Sequence, residues 1–87
     1  MNREWILRFI SEYRETKERY EKLKFMLYKY KNGLLDFKPN CSYELLREQQ
    51  RVMGEYLAIL EERSVIEHIN LNYVPDKPKS DEDTMGD

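Results

Sequence analysis

Apolar positions recur at alternating steps of three and four from the start of the chain. Ile6, Phe9, Tyr13, Thr16, Tyr20, Leu23, Leu27 and Tyr30 form a heptad seam over more than three repeats. This pattern predicts a helix from about Arg3 to about Lys31. Its ends are apolar, with Trp5, Ile6, Phe9 and Ile10 at one and Leu23, Met26 and Leu27 at the other. The stretch Ser11 to Arg19 between them offers only Tyr13 and Thr16 to the seam. Glu15 with Arg19 and Glu18 with Lys22 are helix-supporting pairs at i,i+4. Asn32-Gly33 stops the helix, with glycine as the left-handed residue after the cap and Lys29 and Lys31 at the negative end of the dipole. Leu34 to Cys41 reads as a loop whose Leu34, Leu35 and Phe37 cover the end of the core. Ser42 is the expected N-cap of a second helix from about Tyr43 to about Asn70, with Glu44 in its first turn. Two helices of roughly 28 residues, each about 42 Å long, joined by a short loop, indicate an antiparallel hairpin.

The second helix carries a broad apolar face of Leu45, Leu46, Val52, Met53, Ile59, Leu60 and Ile66. Gln49, Tyr56 and Arg63, seven apart, stand along its middle. If that face is the core, an amide, a phenol and a guanidinium are buried and each needs a partner. The arc is about 120° wide, more than one facing helix covers. Trp5, Phe25, Tyr28 and Ile69 lie off the principal seam, so further sides of the hairpin are apolar. A hairpin this short has little interior of its own. The expected fold is therefore all-α: a coiled-coil-like antiparallel two-helix hairpin that assembles into a four-helix bundle or a larger homo-oligomer. The rival expectation is docking on a host protein.

Composition sharpens this picture. The chain is 37% charged and 40% hydrophobic, with three glycines and three prolines. Residues 1–71 read as the hairpin. Residues 72–87, with Pro75, Pro78 and Lys-Ser-Asp-Glu-Asp-Thr, read as a disordered acidic tail. The net charge of −2 hides an asymmetry. Residues 1–40 hold ten Lys/Arg against six Asp/Glu, and residues 41–87 hold five against eleven. Oppositely charged halves favour packing on one another or between subunits, and the acidic half disfavours nucleic-acid binding. No apolar run approaches the ~20 residues of a membrane span, and no signal peptide opens the chain. The lone Cys41 has no partner for an internal disulfide, which fits a cytoplasm.

No catalytic motif is present: the residues contain no HExxH, no Cys/His cluster, no phosphate-cradling glycine loop and no nucleophile elbow. His68, the only histidine, reads as a surface or capping residue. Cys41 lies near a helix N-terminus with no base at hand. The expectation is a protein that is not an enzyme and takes neither cofactor nor metal. Lys17, Lys24 and Lys31 recur at sevens beside Tyr13, Tyr20 and Tyr30. This stripe suits either a ring-and-phosphate ligand or pairing with Glu48, Glu55 and Glu62 of the second helix. In a hairpin turning near Phe37, Arg63 comes opposite the Ile10–Tyr13 turn, Tyr56 opposite Thr16–Lys17 and Gln49 opposite Leu23–Lys24. Glu12, Tyr13, Thr16, Lys17, Tyr56 and Arg63 then gather in one cluster. As structure, Arg63 pairs with Glu12 or a neighbouring carboxylate and Gln49 and Tyr56 fix register. As function, the cluster is a pocket for an anionic, ring-bearing ligand.

The run Leu45-Leu46-x-x-Gln49-x-x-x-Met53-x-x-Tyr56-Leu57-x-Ile59-Leu60-x-x-Arg63, preceded by Lys22-Leu23-Lys24-Phe25-Met26, resembles a family of small phage helical proteins named after a crAss-like phage member. The resemblance covers about residues 4–66; the loop Leu34-Leu35-Asp36-Phe37 and the acidic extension depart from it. It implies a phage protein acting in the cytoplasm of an infected bacterium, with no defined activity. By analogy with other small phage proteins, the leading expectation is counter-defence by sequestering a small anionic nucleotide-type immune signal between helices. Tyr13, Lys17, Tyr56 and Arg63 are its expected ligands, with Glu12 and Gln49 beside them. The alternatives are an inhibitor or adaptor docking on a host defence protein, and a structural virion component. Self-association is expected in each case, and membrane attachment in none.

Overall fold

The computed structural model describes residues 3–73. Two helices, α1 (Arg3–Lys31) and α2 (Tyr43–Ile66), pack against each other, and no strand occurs among the described residues. No helix among them is long and apolar enough to cross a membrane. The expected start of the acidic tail, Asn72 and Tyr73, is described; residues 74–87 lie outside the described residues.

Both ends of the loop form for the reasons their residues suggest. Gly33 adopts φ 70° after α1, and the amides of Gly33 and Leu34 donate to the carbonyls of Tyr30 (3.2 Å) and Lys29 (2.8 Å). This double closure satisfies two carbonyls that the helix end would leave unpaired. At the other side Ser42, in extended backbone, accepts the Leu45 amide at 3.1 Å. Tyr30 and Tyr43 meet edge to face, 5.6 Å between ring centres, and close the mouth of the loop. The loop's apolar residues do not plug the core as expected: Leu34 and Phe37 are exposed and only Leu35 is half-buried.

The helix α2 ends at Ile66, four residues short of the expected Asn70. His68 takes the left-handed conformation at φ 58°. The His68 amide then donates to Val65 (3.2 Å) and the Ile69 amide to Ser64 (2.8 Å), the same closure that Gly33 makes. The turn swings Ile69 inward, where it is buried rather than outward-facing. The chain runs back along α1, with Arg14 Nε donating to the Leu71 carbonyl (3.3 Å) and Arg3 to the Tyr73 hydroxyl (3.2 Å).

The main core cluster lies at this end of the hairpin, with Leu27 buried separately toward the loop. Phe9, Ile10, Tyr13, Leu57, Leu60 and Ile69 form it, with Trp5, Ile6, Tyr20 and Leu71 packed around. Gly54 permits a close approach: a methyl group there would stand 3.2 Å from the edge of the Tyr20 ring. The face of α2 turned to α1 is thus Met53, Gly54, Leu57, Leu60 and Ser64. The face with Gln49, Tyr56 and Arg63 lies about 110° around the helix at 100° per residue, and it is exposed. The expectation that this ladder sits buried against α1 is therefore corrected. α2 has two apolar stripes, and one partner helix covers one of them.

Candidate functional site

The register is that of an antiparallel hairpin centred near residue 36, so the polar middle of α1 does meet the ladder. The Glu12 carboxylate is the hub. Its Oε2 accepts the Tyr56 hydroxyl at 3.0 Å and the Thr16 hydroxyl at 3.2 Å, and Arg19 donates to the Thr16 oxygen at 3.4 Å. Donation to an anion raises the Tyr56 pKa above its ordinary value, assisted by partial burial and the Glu12 charge and opposed by the nearby Arg63.

Arg63 does not pair with Glu12. Its guanidinium lies over the rings of Phe9 and Trp5, 5.1 and 5.9 Å from their centres, as a cation on aromatic faces does. Among the described residues no carboxylate stands within ion-pair distance of it; the ion pairs there lie within single helices, Arg8–Glu4, Lys22–Glu18 and Arg51 with Glu48 and Glu55. The expected pairing of the α1 lysines with Glu48, Glu55 and Glu62 is replaced, for the first two glutamates, by Arg51 at 2.7 Å to each. Arg51 is one turn from each, on their own helix, and needs no ordering of a second element. Likewise Arg19 turns to Thr16 rather than to Glu15.

Tyr13 and Lys17 belong to the opposite side of the hairpin. Glu12 and Tyr13 are successive residues, 100° apart on the helix, so they diverge. The Tyr13 hydroxyl donates to Glu61 at 2.6 Å, and Lys17 Nζ stands 5.9 Å above the Tyr13 ring. Burial, with the Glu61 bond and charge, pushes the Tyr13 phenol up to about 12. Next to this pair a shallow cleft of 190 Å³ runs between Lys17, Tyr20, Gly54 and Glu61. The single cluster expected from the sequence is thus two: Glu12, Thr16, Tyr56 and Arg63 on the front, Tyr13 and Lys17 on the back. Gln49 joins neither. It is exposed, and among the described residues its amide makes only a 3.9 Å contact to Met53 sulfur. The residues missed by sequence reasoning are Arg19, Glu61 and the Trp5–Phe9 platform. The i,i+3 spacing of Thr16 and Arg19 was the available signal for the first.

A family model described as Sequestin matches residues 3–66. The chain belongs to the Sequestin family. The match covers both helices and the loop between them, the stretch on which the resemblance to small helical proteins rests. It includes every front-face residue named above. No curated protein and no solved structure matches this Sequestin chain.

Proposed function

We propose that this member of the Sequestin family is a non-enzymatic, phage-encoded binding protein that sequesters a small anionic nucleotide-type immune signal in the cytoplasm of an infected bacterium. The observation that carries the reading is Arg63: a guanidinium seated on two aromatic rings, exposed, and without a carboxylate among the described residues. Such a group offers a planar fork of donors to a phosphate. Tyr56 lies two turns away, about 10.5 Å along the helix, and presents a ring on the same stripe. That separation suits a ligand with a charged group at one end and a ring at the other. The family's name supports sequestration as the mode of action.

Isothermal titration of the full chain against cyclic dinucleotides and ADP-ribose-type molecules tests the reading. A member of the panel is expected to bind, and Arg63→Ala to weaken it by about 10- to 100-fold, the worth of hydrogen bonds to a charged group. No heat and no thermal shift with any member would overturn it. A second reading, an inhibitor docking on a host defence protein, is favoured by a separate observation. Phe25 and Tyr28 in the last turns of α1 and Leu34 and Phe37 in the loop are all exposed apolar side chains at the loop end of the hairpin. A single stoichiometric partner captured from the host, and lost on substituting Phe37 by a charged residue, would select it.

A further inference from the structure

The front face has an internal symmetry that a single hairpin does not use. On α2, Leu45, Val52, Ile59 and Ile66 alternate with Gln49, Tyr56 and Arg63 at steps of four and three, an unbroken heptad stripe. The four apolar members are between 49% and 67% exposed. Read outward from Tyr56 the stripe is palindromic in polarity: Val52 matches Ile59, Gln49 matches Arg63, and Leu45 matches Ile66. On the adjoining side of α1, Thr16 and Phe9 are already buried in the hairpin, but around Thr16 the exposed Glu12 matches the exposed Arg19, and farther out the half-buried Trp5 matches Met26. The two centres coincide in space, because Thr16 and Tyr56 bond the same oxygen of Glu12.

We propose that this face is a two-fold interface with a second copy of this chain, packed antiparallel, with the axis passing beside Thr16 and Tyr56. Under that rotation each exposed apolar residue of the α2 stripe meets an apolar residue of the second copy, Val52 with Ile59 and Leu45 with Ile66. Glu12 meets Arg19 of the second copy, an opposite-charge pair, on both sides of the axis. Arg63 meets Gln49 of the second copy and lies next to its Glu48. A parallel pairing would instead set Arg63 against Arg63, two like charges at one level of a seam. The acidic edge beside the stripe does bring Glu55 near its own copy, but Arg51 already holds Glu48 and Glu55 at 2.7 Å. The stripe stands about 110° around α2 from the face packed on α1, close to the right angle between the two neighbours of a helix in a four-helix bundle. A face about 36 Å long and roughly 20 Å wide gives about 700 Å² per copy, near the ~800 Å² of a stable interface. The inference rests on the face alone and stands or falls independently of any ligand.

Sedimentation and cysteine cross-linking of the full chain, in a Cys41→Ser background, test it. The chain is expected to sediment as a dimer, and Ile59→Glu to weaken that dimer at least about a hundredfold. Circular dichroism of the Ile59→Glu variant should keep its helical signal, because Ile59 is 55% exposed in the single hairpin. Under mild oxidation Tyr56→Cys should link to itself. Leu45→Cys should link only when mixed with Ile66→Cys, since the two copies of Leu45 would lie about 30 Å apart. A monomer at about 0.1 mM, an unchanged mass for Ile59→Glu, or self-linking of Leu45→Cys in preference to Tyr56→Cys overturns the proposal.

Discussion

Removing one oxygen atom at Tyr13 isolates the strongest polar contact between the helices. In Tyr13→Phe the ring remains in the core while the 2.6 Å bond to Glu61 is lost. Hydrogen bonds to a charged partner contribute about 1.5–3 kcal/mol. Glu61 is exposed and regains water in the variant, so the lower end, about 1.5 kcal/mol, is expected. In a folded unit of this size 1 kcal/mol moves the melting temperature by about 4–8 °C, so the loss should be roughly 6–12 °C. Thermal and urea unfolding followed by circular dichroism, at one fixed protein concentration because association shifts the midpoint, measure it.

The pH dependence supplies a second readout with a definite sign. The Tyr13 phenol is pushed up to about 12 in the fold, from an ordinary 10.0. A raised pKa means that the folded state holds its proton more tightly than the unfolded one. The stabilisation is fully present below pH 10 and is lost as pH rises toward and through about 12. The native chain should therefore lose stability over that interval more steeply than Tyr13→Phe. Tyr56→Phe is the control, since Tyr56 is 40% exposed and its bond to Glu12 competes with water. Equal melting temperatures for the two phenylalanine variants, or parallel alkaline curves for Tyr13→Phe and the native chain, would refute the reasoning.

Two substitutions probe the backbone. His68→Gly should stabilise the hairpin by about 0.5–1 kcal/mol, because a side chain at φ 58° carries a steric cost that glycine lacks; a decrease in the urea midpoint would mean that the imidazole itself holds the turn. Gly54→Ala should raise stability by up to about 1 kcal/mol of helix propensity, since the Tyr20 edge at 3.2 Å is a half-buried side chain that can yield by a few tenths of an ångström. A loss larger than about 1 kcal/mol would show an immobile ring.

The parts of the fold that local chemistry dictates were legible in the residues. Gly33 and Ser42 close their helix ends as their types require, and they set the length of the loop. That length in turn fixes the register, which is why Tyr56 does arrive at the level of Thr16. The end of α2 was not legible, because a histidine in the left-handed region carries no signal comparable to glycine. The choice of face was not legible either. Leu57, Leu60 and Gly54 on one side compete with Val52, Tyr56 and Ile59 on the other, and both stripes have helical periodicity. What separates them is steric: Gly54 lets Tyr20 lie against α2, whereas the ladder carries Tyr56 and Arg63 at the same levels. The split of the site follows from that rotation, since turning α2 by about 110° sends Tyr13 to Glu61 and leaves Glu12 to Tyr56.

The proposed ligand and the proposed interface place opposing demands on Arg63, and the conflict has a physical resolution. Closing the front face about Tyr56 removes water from a guanidinium that has no carboxylate partner among the described residues. Gln49 of the second copy contributes one carbonyl oxygen, too little to offset a desolvated charge. Glu48 of the second copy is already held by its own Arg51. The symmetric assembly therefore carries two under-satisfied cations, one on each side of the axis, each bounded by Phe9, Trp5 and residues of both copies. An anion entering there supplies the missing charge to the assembled form and finds only half of its contacts on a lone hairpin. By linkage, a ligand that binds the dimer better than the monomer tightens the dimer by the same factor. The apolar pairs of the seam hold the unliganded dimer, and the polar ladder within it leaves room for the anion to tighten that dimer further.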